Sequence, residues 1–183
     1  MTIRILIHTK NLPQNNPKMT PSFDPPILKA ADFRSIYPSI YVALVNIIIQ
    51  DPYIKQLQST GEFEFDFLPY PEIAAEYTQP PTSTIPRDKP RLYLIRTSSN
   101  IEGLSSCQKK WTIGYNIVVQ GLHLRSALVD QLAGQLDYLF SNTTFIQDIC
   151  GQITSSASQF NYDVGKQTVT ATLSISVVVA TPR

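Results

Sequence analysis

Two stretches in the second half of the chain alternate apolar and polar residues over ten or more positions. KKWTIGYNIVVQ, residues 109–120, has apolar side chains at every second position from Trp111 to Val119. TVTATLSISVVVA, residues 168–180, has the same pattern, with Val169, Ala171, Leu173, Ile175, Val177 and Val179. Successive side chains of a strand point to opposite faces, so this period predicts two strands, each with one face in the core and one polar face.

Between these two stretches the spacing of the apolar residues changes to that of a helix. In LRSALVDQLAGQLDYLF, residues 124–140, they recur three or four positions apart, which predicts an amphipathic helix. Its predicted apolar face consists of Leu124, Leu128, Leu132, Leu136, Leu139 and Phe140.

Three weaker signals complete this half of the chain. RLYLIR, residues 91–96, predicts another strand, the partial alternation from Phe145 to Tyr162 predicts one more, and residues 163–166 predict a turn. Strands that follow one another, with helices on one face, are typical of an α+β fold. We therefore expect a mostly antiparallel sheet with one long amphipathic helix packed on one face.

Prolines divide the first half of the chain. Six of them lie between Asn11 and Pro38, and six more lie in residues 69–90. Because proline lacks an amide donor and restricts φ, neither stretch suits a central strand or a long helix. The sequence predicts a Pro-rich arm at 11–38 and a Pro-rich loop at 69–90.

Regular structure is predicted on both sides of the arm. Alternating isoleucines in Met1 to His8 predict a short strand. SIYVALVNIIIQ, residues 39–50, favours an N-terminal helix, although its β-branched residues leave a buried strand as the alternative. Asp51-Pro52 then predicts the capped start of a short helix that ends at Gly61.

Composition limits the classes of partner. The 183 residues suit a single domain spanning residues 1–183, and the net charge of +1 excludes binding to nucleic acid or anionic membrane driven by bulk charge. The longest apolar run, Ile40 to Ile49, is too short to cross a bilayer, so we expect no membrane partner. The first residues lack the pattern of a signal peptide, which predicts a product made in the cytoplasm.

No arrangement of residues typical of catalysis or metal binding is found in the sequence. The two histidines, His8 and His123, accompany no G-x-S-x-G, CxxC or HxxxH motif, and the seven glycines form no phosphate-binding loop. Two free thiols at Cys107 and Cys150 are favoured over one disulfide. We therefore expect no enzyme, no metal and no cofactor.

An acidic segment precedes the Pro-rich loop. Glu62, Glu64 and Asp66 alternate with three phenylalanines, which predicts a strand with one core face and one acidic face. Carboxylates on alternate positions stand roughly 6–7 Å apart, too open for a hard cation without help from another segment. A face directed to water or to a partner is the favoured interpretation.

Basic residues cluster between Pro86 and Lys110. Tyr93 and Trp111 lie among them, but we interpret both aromatics as core residues in preference to nucleic-acid stacking. Opposite charges on different parts of one chain suit a head-to-tail contact between identical subunits. The predicted interface residues are Glu62, Glu64, Asp66, Arg87, Lys89, Lys109 and Lys110.

From Pro90 to Ala180 the chain resembles the tail terminator (tail completion) proteins of long-tailed bacteriophages. The resemblance rests on the strand RLYLIR, the loop with Glu102, the strand KKWTIGYNIVVQG, the helix SALVDQLAGQLDYLF and the long final strand. SIYVALVNIIIQ stands where these proteins have their first helix. The N-terminal strand and the Pro-rich arm depart from their pattern.

The resemblance implies a structural protein of the virion. Such proteins form a hexameric ring on the head-proximal end of the tail tube, stop tube growth and join the tail to the neck. The implied partners are further copies of the chain, the major tail tube protein, neck or head–tail connector proteins and the tail sheath. DNA passes through the ring without specific binding, so the acidic face is expected either to line the lumen or, as favoured here, to contact a neighbouring subunit. Assembly is expected in the host cytoplasm.

Two alternatives remain at the level of sequence. One is another head–tail joining or minor tail protein of similar size. The other is a monomeric module that binds a glycan or another ligand through the aromatic stretch from Phe63 to Tyr77.

Overall fold

Helices and a mostly antiparallel sheet form the part of the chain that a computed structural model describes, residues 36–67, 88–106 and 108–182. The helices in these ranges are α1 (Ile36–Gln50), α2 (Pro52–Ser59) and α3 (Ser126–Asn142). The strands are β1 (Glu64–Phe65), β2 (Arg91–Ser105), β3 (Gln108–Leu122), β4 (Phe145–Ile146), β5 (Gly151–Ser155), β6 (Gln159–Asp163) and β7 (Thr168–Pro182). The sheet order is β1-β2-β3-β7-β5-β4, β6 also pairs with β7, and only the β1–β2 pair is parallel. This is the predicted α+β class.

The centre of the sheet is the antiparallel pair of β3 and β7. The two strands pair without interruption from Gln108 opposite Pro182 to Leu122 opposite Thr168. Their odd-numbered apolar residues are buried in one core cluster, except Trp111, which is partly buried and packs against it. Ile113, Tyr115 and Ile117 are completely inaccessible to solvent. The alternation read from the sequence therefore identifies the core face correctly.

α3 starts later than the apolar spacing predicts. Leu128, Leu132, Leu136 and Phe140 are buried in the core cluster. Leu124 is 91% exposed, because residues 123–125 form a 3₁₀ turn before the helix begins. The tighter turn rotates Leu124 away from the face that the later leucines share, so its predicted place on the apolar face is wrong.

The segment 39–50 is a helix, as favoured, and not a buried strand. α1 begins at Ile36, so the last three residues of the predicted arm belong to it. Pro38 fits there because the amides of a first helical turn have no partner within the helix. Ile40, Leu44 and Ile48 are fully buried, and most of the helix is buried all round.

α2 is capped as predicted. The carboxylate of Asp51 accepts hydrogen bonds from the backbone amides of Tyr53, at 3.1 Å, and Ile54, at 2.9 Å. Its other oxygen accepts from Gln135 on α3 at 3.0 Å. The helix ends before Gly61, whose φ of 72° lies in the left-handed region that favours glycine.

The single strand predicted from Phe145 to Tyr162 is wrong. β4 and β5 form a short hairpin around Cys150, whose φ of 50° reverses the chain. β5 and β6 then both pair with β7, but the interval from Ser155 to Gln159 holds one more residue than the facing part of β7. Ser158 donates to the Asp137 carboxylate of α3 through its amide and its hydroxyl, which draws the bulge towards the helix.

Several predictions fall outside the described residues: the strand at Met1 to His8, the arm as far as residue 35, and the loop from residue 69 to residue 87. In the ranges that are described, no helix is long and apolar enough to cross a membrane. The predicted turn at residues 163–166 is present between β6 and β7.

Truncation of two leucines compares the stability contributed by a buried core side chain with that of an exposed side chain just before α3. Leu132→Ala removes a side chain with no exposed area and should lower the free energy of unfolding by about 2–5 kcal/mol, because it leaves a cavity. Leu124→Ala removes a 91% exposed side chain and should cost less than about 0.5 kcal/mol. Urea unfolding measures both, and equal losses would contradict the described start of α3.

Candidate interaction surface

The acidic segment lies along the start of β2. The amide of Glu64 donates to the carbonyl of Pro90, and the amide of Asp66 donates to that of Leu92, both at 2.9 Å. Phe63 and Phe67 are buried, and Phe65 packs against the core. The aromatic face is thus in the core as predicted, although the ladder itself is only two residues long.

Asp66 forms an ion pair within its own chain. Its carboxylate lies 2.9 Å from the guanidinium of Arg91, whose side chain is only 6% exposed. The two residues are 25 positions apart in sequence, and the parallel β1–β2 ladder brings them together. One of the three carboxylates assigned to an intersubunit contact is therefore already bound to a buried cation.

The other acidic residues and Lys89 surround the same end of the sheet. Glu62 is exposed and accepts a long hydrogen bond, 3.4 Å, from the hydroxyl of Thr60, while Glu64 is half-buried. Lys89 is exposed, and its Nζ lies 3.5 Å from the position that a Cβ on Gly61 would take. Lys89 thus approaches the loop that leads into the acidic segment of its own chain. Arg87 lies outside the described residues.

Lys109 and Lys110 occupy the opposite end of the β2–β3 hairpin. Lys110 stands opposite Glu102 in the ladder, with 3.4 Å between Nζ and the carboxylate. Arg91 and Glu102 are separated along β2 by roughly 35 Å, because a strand rises by ~3.3 Å per residue. The predicted basic residues therefore do not form a single patch.

The outer half of this hairpin projects beyond the core. β2 is buried from Arg91 to Leu94, whereas residues 97–105 are all exposed. We call residues 96–112 the hairpin arm. Its described residues carry Arg96, Lys109 and Lys110 against the single carboxylate of Glu102, a net charge of +2.

Aromatic contacts hold the base of the hairpin arm. The ring of Tyr37 at the start of α1 meets Trp111 edge-on at 5.6 Å, and the guanidinium of Arg96 lies 4.4 Å from the centre of the same Tyr37 ring. Trp111 donates a 2.9 Å hydrogen bond from Nε1 to the hydroxyl of Thr181 on β7. Trp111 is thus an anchor between α1 and β7, in agreement with its interpretation as a core residue.

Tyr93 is buried on the other face of the sheet. It pairs with Val118, and both side chains alternate with neighbours that belong to the core cluster. Burial raises the pKa of Tyr93, which nearby Arg91 lowers and Asp66 raises to a smaller extent. The stacking interpretation of this aromatic residue is excluded, because a ring that is 8% exposed cannot offer its face to a base.

A second acidic region, missed by the sequence interpretation, lies in residues 126–163. This region, the acidic body, contains four carboxylates and no lysine or arginine, a net charge of −4. Its carboxylates are Asp130, Asp137, Asp148 and Asp163. The absence of basic residues over so long a stretch was the signal available in the sequence.

No arrangement suited to metal binding is present in the described parts of the chain, where no group of three or more His, Cys, Asp or Glu side chains gathers. Cys150 is an exposed free thiol, and Cys107 lies outside the description. The amide of His123 donates to the carbonyl of Gln167 at 2.8 Å, and its ring lies against Tyr162 with 4.7 Å between centres.

Comparison with models of protein families and with curated proteins finds no match to this chain. Its function is therefore inferred from its own geometry and charge.

Removal of the Asp66 carboxylate tests the internal ion pair. Asp66→Asn removes one counter-charge from the buried Arg91 and should lower the free energy of unfolding by about 1–3 kcal/mol, less than for a fully buried pair because Asp66 is one-third exposed. The matched variant Glu102→Gln breaks an exposed pair and should cost less than about 1 kcal/mol. If both variants unfold at the same urea concentration, the Arg91 pair makes no special contribution.

The raised pKa of Tyr93 predicts that the free energy of unfolding depends on pH in the alkaline range. Its pKa is raised in the folded chain, so the stability it contributes is complete below the ordinary tyrosine pKa and is lost as the pH rises through the folded value. Tyr93→Phe cannot ionise, so its unfolding free energy should fall less between neutral and alkaline pH than that of the native chain. Tyr138→Phe, at a 68% exposed position, should follow the native profile. Parallel profiles for all three proteins would contradict this role of Tyr93.

Proposed function

We propose that this chain is a structural protein of a bacteriophage virion that assembles into a ring on the head-proximal end of the tail tube. The order β2, β3, α3 and a long final strand β7 supports this proposal, since it is the order on which the resemblance to tail terminators rests. In this proposal α3 packs along one face of the sheet, where its buried residues join those of β3 and β7.

The observation that carries the proposal is the division of the chain into unlike surfaces. A projecting hairpin arm has a net charge of +2, and the residues of the acidic body sum to −4, with Asp163 paired to Lys166 just beyond it. A chain with two complementary surfaces associates head to tail, and such contacts close into a ring when the rotation between copies allows it. Exposed charges contribute little affinity each, so their role is to orient the copies.

The acidic segment has a smaller role in this arrangement than the sequence suggests. Asp66 is held by Arg91 in its own chain and Glu64 is half-buried, so Glu62 is the exposed carboxylate of the segment. A lumen lined by cations would retard DNA, because each contact with a phosphate adds affinity. We therefore place the cationic hairpin arm at the contact between copies and away from the lumen.

The other partners follow from the position of the ring. One face of a homohexamer would meet the last ring of tail tube protein, and the other would receive the neck or head–tail connector proteins. A sheath, where the tail has one, would end at the same level. Under this proposal the chain is not an enzyme, requires no cofactor, and is located in the virion at the head-proximal end of the tail.

The described aromatic residues of the stretch assigned to ligand binding are mostly buried or stacked on one another. Phe63 and Phe67 are buried, and Phe65 stacks on Phe67 with 5.1 Å between ring centres. Side chains held in this way have little area left for a glycan. Another head–tail joining or minor tail protein remains the second candidate, since the same charged surfaces would serve it.

Growth of tail tubes in the presence of the chain tests the proposal. Purified major tail tube protein is polymerised with and without the chain, and electron microscopy measures tube length and the structure of the ends. We expect shorter tubes with one capped end, and six-fold rings of the chain alone.

Two variants of equal charge change provide the control. Lys109→Glu in the hairpin arm should reduce both rings and caps, whereas Lys55→Glu on the exposed side of α2 should leave them intact. A chain that stays monomeric and never caps tubes would contradict the proposed function. Rings that bind tube ends without stopping growth would favour the second candidate.

A further inference from the structure

The hairpin arm presents an open sheet edge. β1 pairs with β2 only at Arg91 and Leu92, and no described strand pairs with the outer side of β2 beyond them. Between two bulges, at Arg96/Ser98 and Gly103/Ser105, the strand pairs regularly with β3. We call this run, Ser98–Gly103, the arm edge. It has six exposed residues and one charged side chain, Glu102, whereas natural open edges are usually blunted by charges or prolines.

β6 presents a second open edge on the far side of the sheet. Within the described ranges it pairs with β7 alone. Its sequence, QFNYD, contains one charge and two aromatic residues that are about half exposed, Phe160 at 52% and Tyr162 at 45%. Exposed aromatic residues on an open strand mark a surface suited to pairing with another strand.

The two edges expose apolar side chains on the same face of the sheet. Phe160 stands opposite Ala171 and Tyr162 opposite Val169, both on the core-facing side of β7. Ile101 stands opposite Trp111, which stands opposite Val179 on that same side. Ile101 is 50% exposed. Because a strand alternates faces with a period of two, pairing of the two edges places these three exposed side chains side by side.

Strand direction agrees with a head-to-tail contact. β2 is antiparallel to β3, β3 to β7, and β7 to β6, so β2 and β6 run in opposite directions within one chain. A rotation about the ring axis preserves the inclination of each strand to that axis. A lateral contact between the arm edge of one copy and β6 of the next would therefore be an antiparallel pair.

We propose that the arm edge of each copy pairs with β6 of a neighbouring copy, so that the sheet continues from chain to chain. This inference rests on the proposed function, since it names the contact by which the ring would assemble. The charge around the edges favours this occupant: the hairpin arm has a net charge of +2, and the acidic body that includes β6 has a net charge of −4. The single carboxylate on each edge, Glu102 and Asp163, is paired with a lysine of its own chain. Pairing of two arms, or of two β6 strands, would bring like charges together.

Complementation between two blocked variants tests this contact. Ile101→Lys blocks the arm edge, and Phe160→Lys blocks β6, each at a position at least half exposed and thus tolerant in the fold. Each variant alone should lose the oligomer that the native chain forms under the same conditions. An equimolar mixture should form a heterodimer and nothing larger, since it restores one native contact and leaves one blocked. Native mass spectrometry measures the species.

Leu124→Lys is the control, with the same added charge at a 91% exposed position on neither edge. It should assemble as the native chain does. If the native chain forms rings and both edge variants still form them, the edge contact is wrong and the proposed function stands. If the variants are folded monomers whose mixture gives no heterodimer, head-to-tail edge pairing is wrong. A native chain that is monomeric overturns both proposals.

Cross-linking provides a second readout that does not depend on destabilising the contact. Asn100 and Asn161 lie on the face opposite to Ile101 and Phe160. In a chain carrying Cys107→Ser and Cys150→Ser, the pair Asn100→Cys and Asn161→Cys should give a ladder of covalent oligomers with a thiol–thiol cross-linker. Either cysteine alone should give no ladder. Equal products from the single and double variants would overturn the proposal.

Discussion

The uninterrupted antiparallel pairing of β3 with β7 is the interaction on which the rest of the structure depends. Fifteen residues of each strand are in register, so every second side chain of both strands reaches the same face. Buried residues of α1 and α3 join that face in one cluster. Each large apolar side chain buried there contributes about 1.5–3 kcal/mol, so a slip of one residue would expose the whole set. The other described strands are additions to the two sides of this pair, and among them an edge stays open on each side.

Charge is used in two different ways on this framework. Beside β1, Asp66 is held against a nearly inaccessible Arg91, which joins the acidic segment to the start of β2. On the outer surfaces, the arm and the acidic body carry opposite net charges, although Glu102 pairs with Lys110 and Asp163 pairs with Lys166. The first use stabilises the chain internally. The charges on the outer surfaces would orient one copy relative to the next, and for this reason the functional proposal rests on the arm and the acidic body.

The anchoring of the arm explains how a projecting hairpin can present a defined edge. Its base is fixed by Tyr37, Trp111 and Arg96, and the Trp111 indole is tied to Thr181 by a hydrogen bond. Bulges bound the regular run of the arm edge on both sides. An edge that is rigid at its base loses less conformational entropy on pairing than a free loop would lose.

Local patterns determined much of this protein. The alternation in β3 and β7, the leucine spacing of α3 and the Asp51 cap each depend on residues within a few positions, so the sequence alone identifies them. It was wrong about Leu124 and about a single strand from Phe145 to Tyr162, because a 3₁₀ turn and a reversal at Cys150 interrupt the local period. Tertiary structure alone decided that Asp66 meets Arg91 and that the arm edge and β6 stay open among the described strands. The reason is physical: a period records which face a side chain occupies, whereas a charge pair or an open edge depends on which distant element lies beside it.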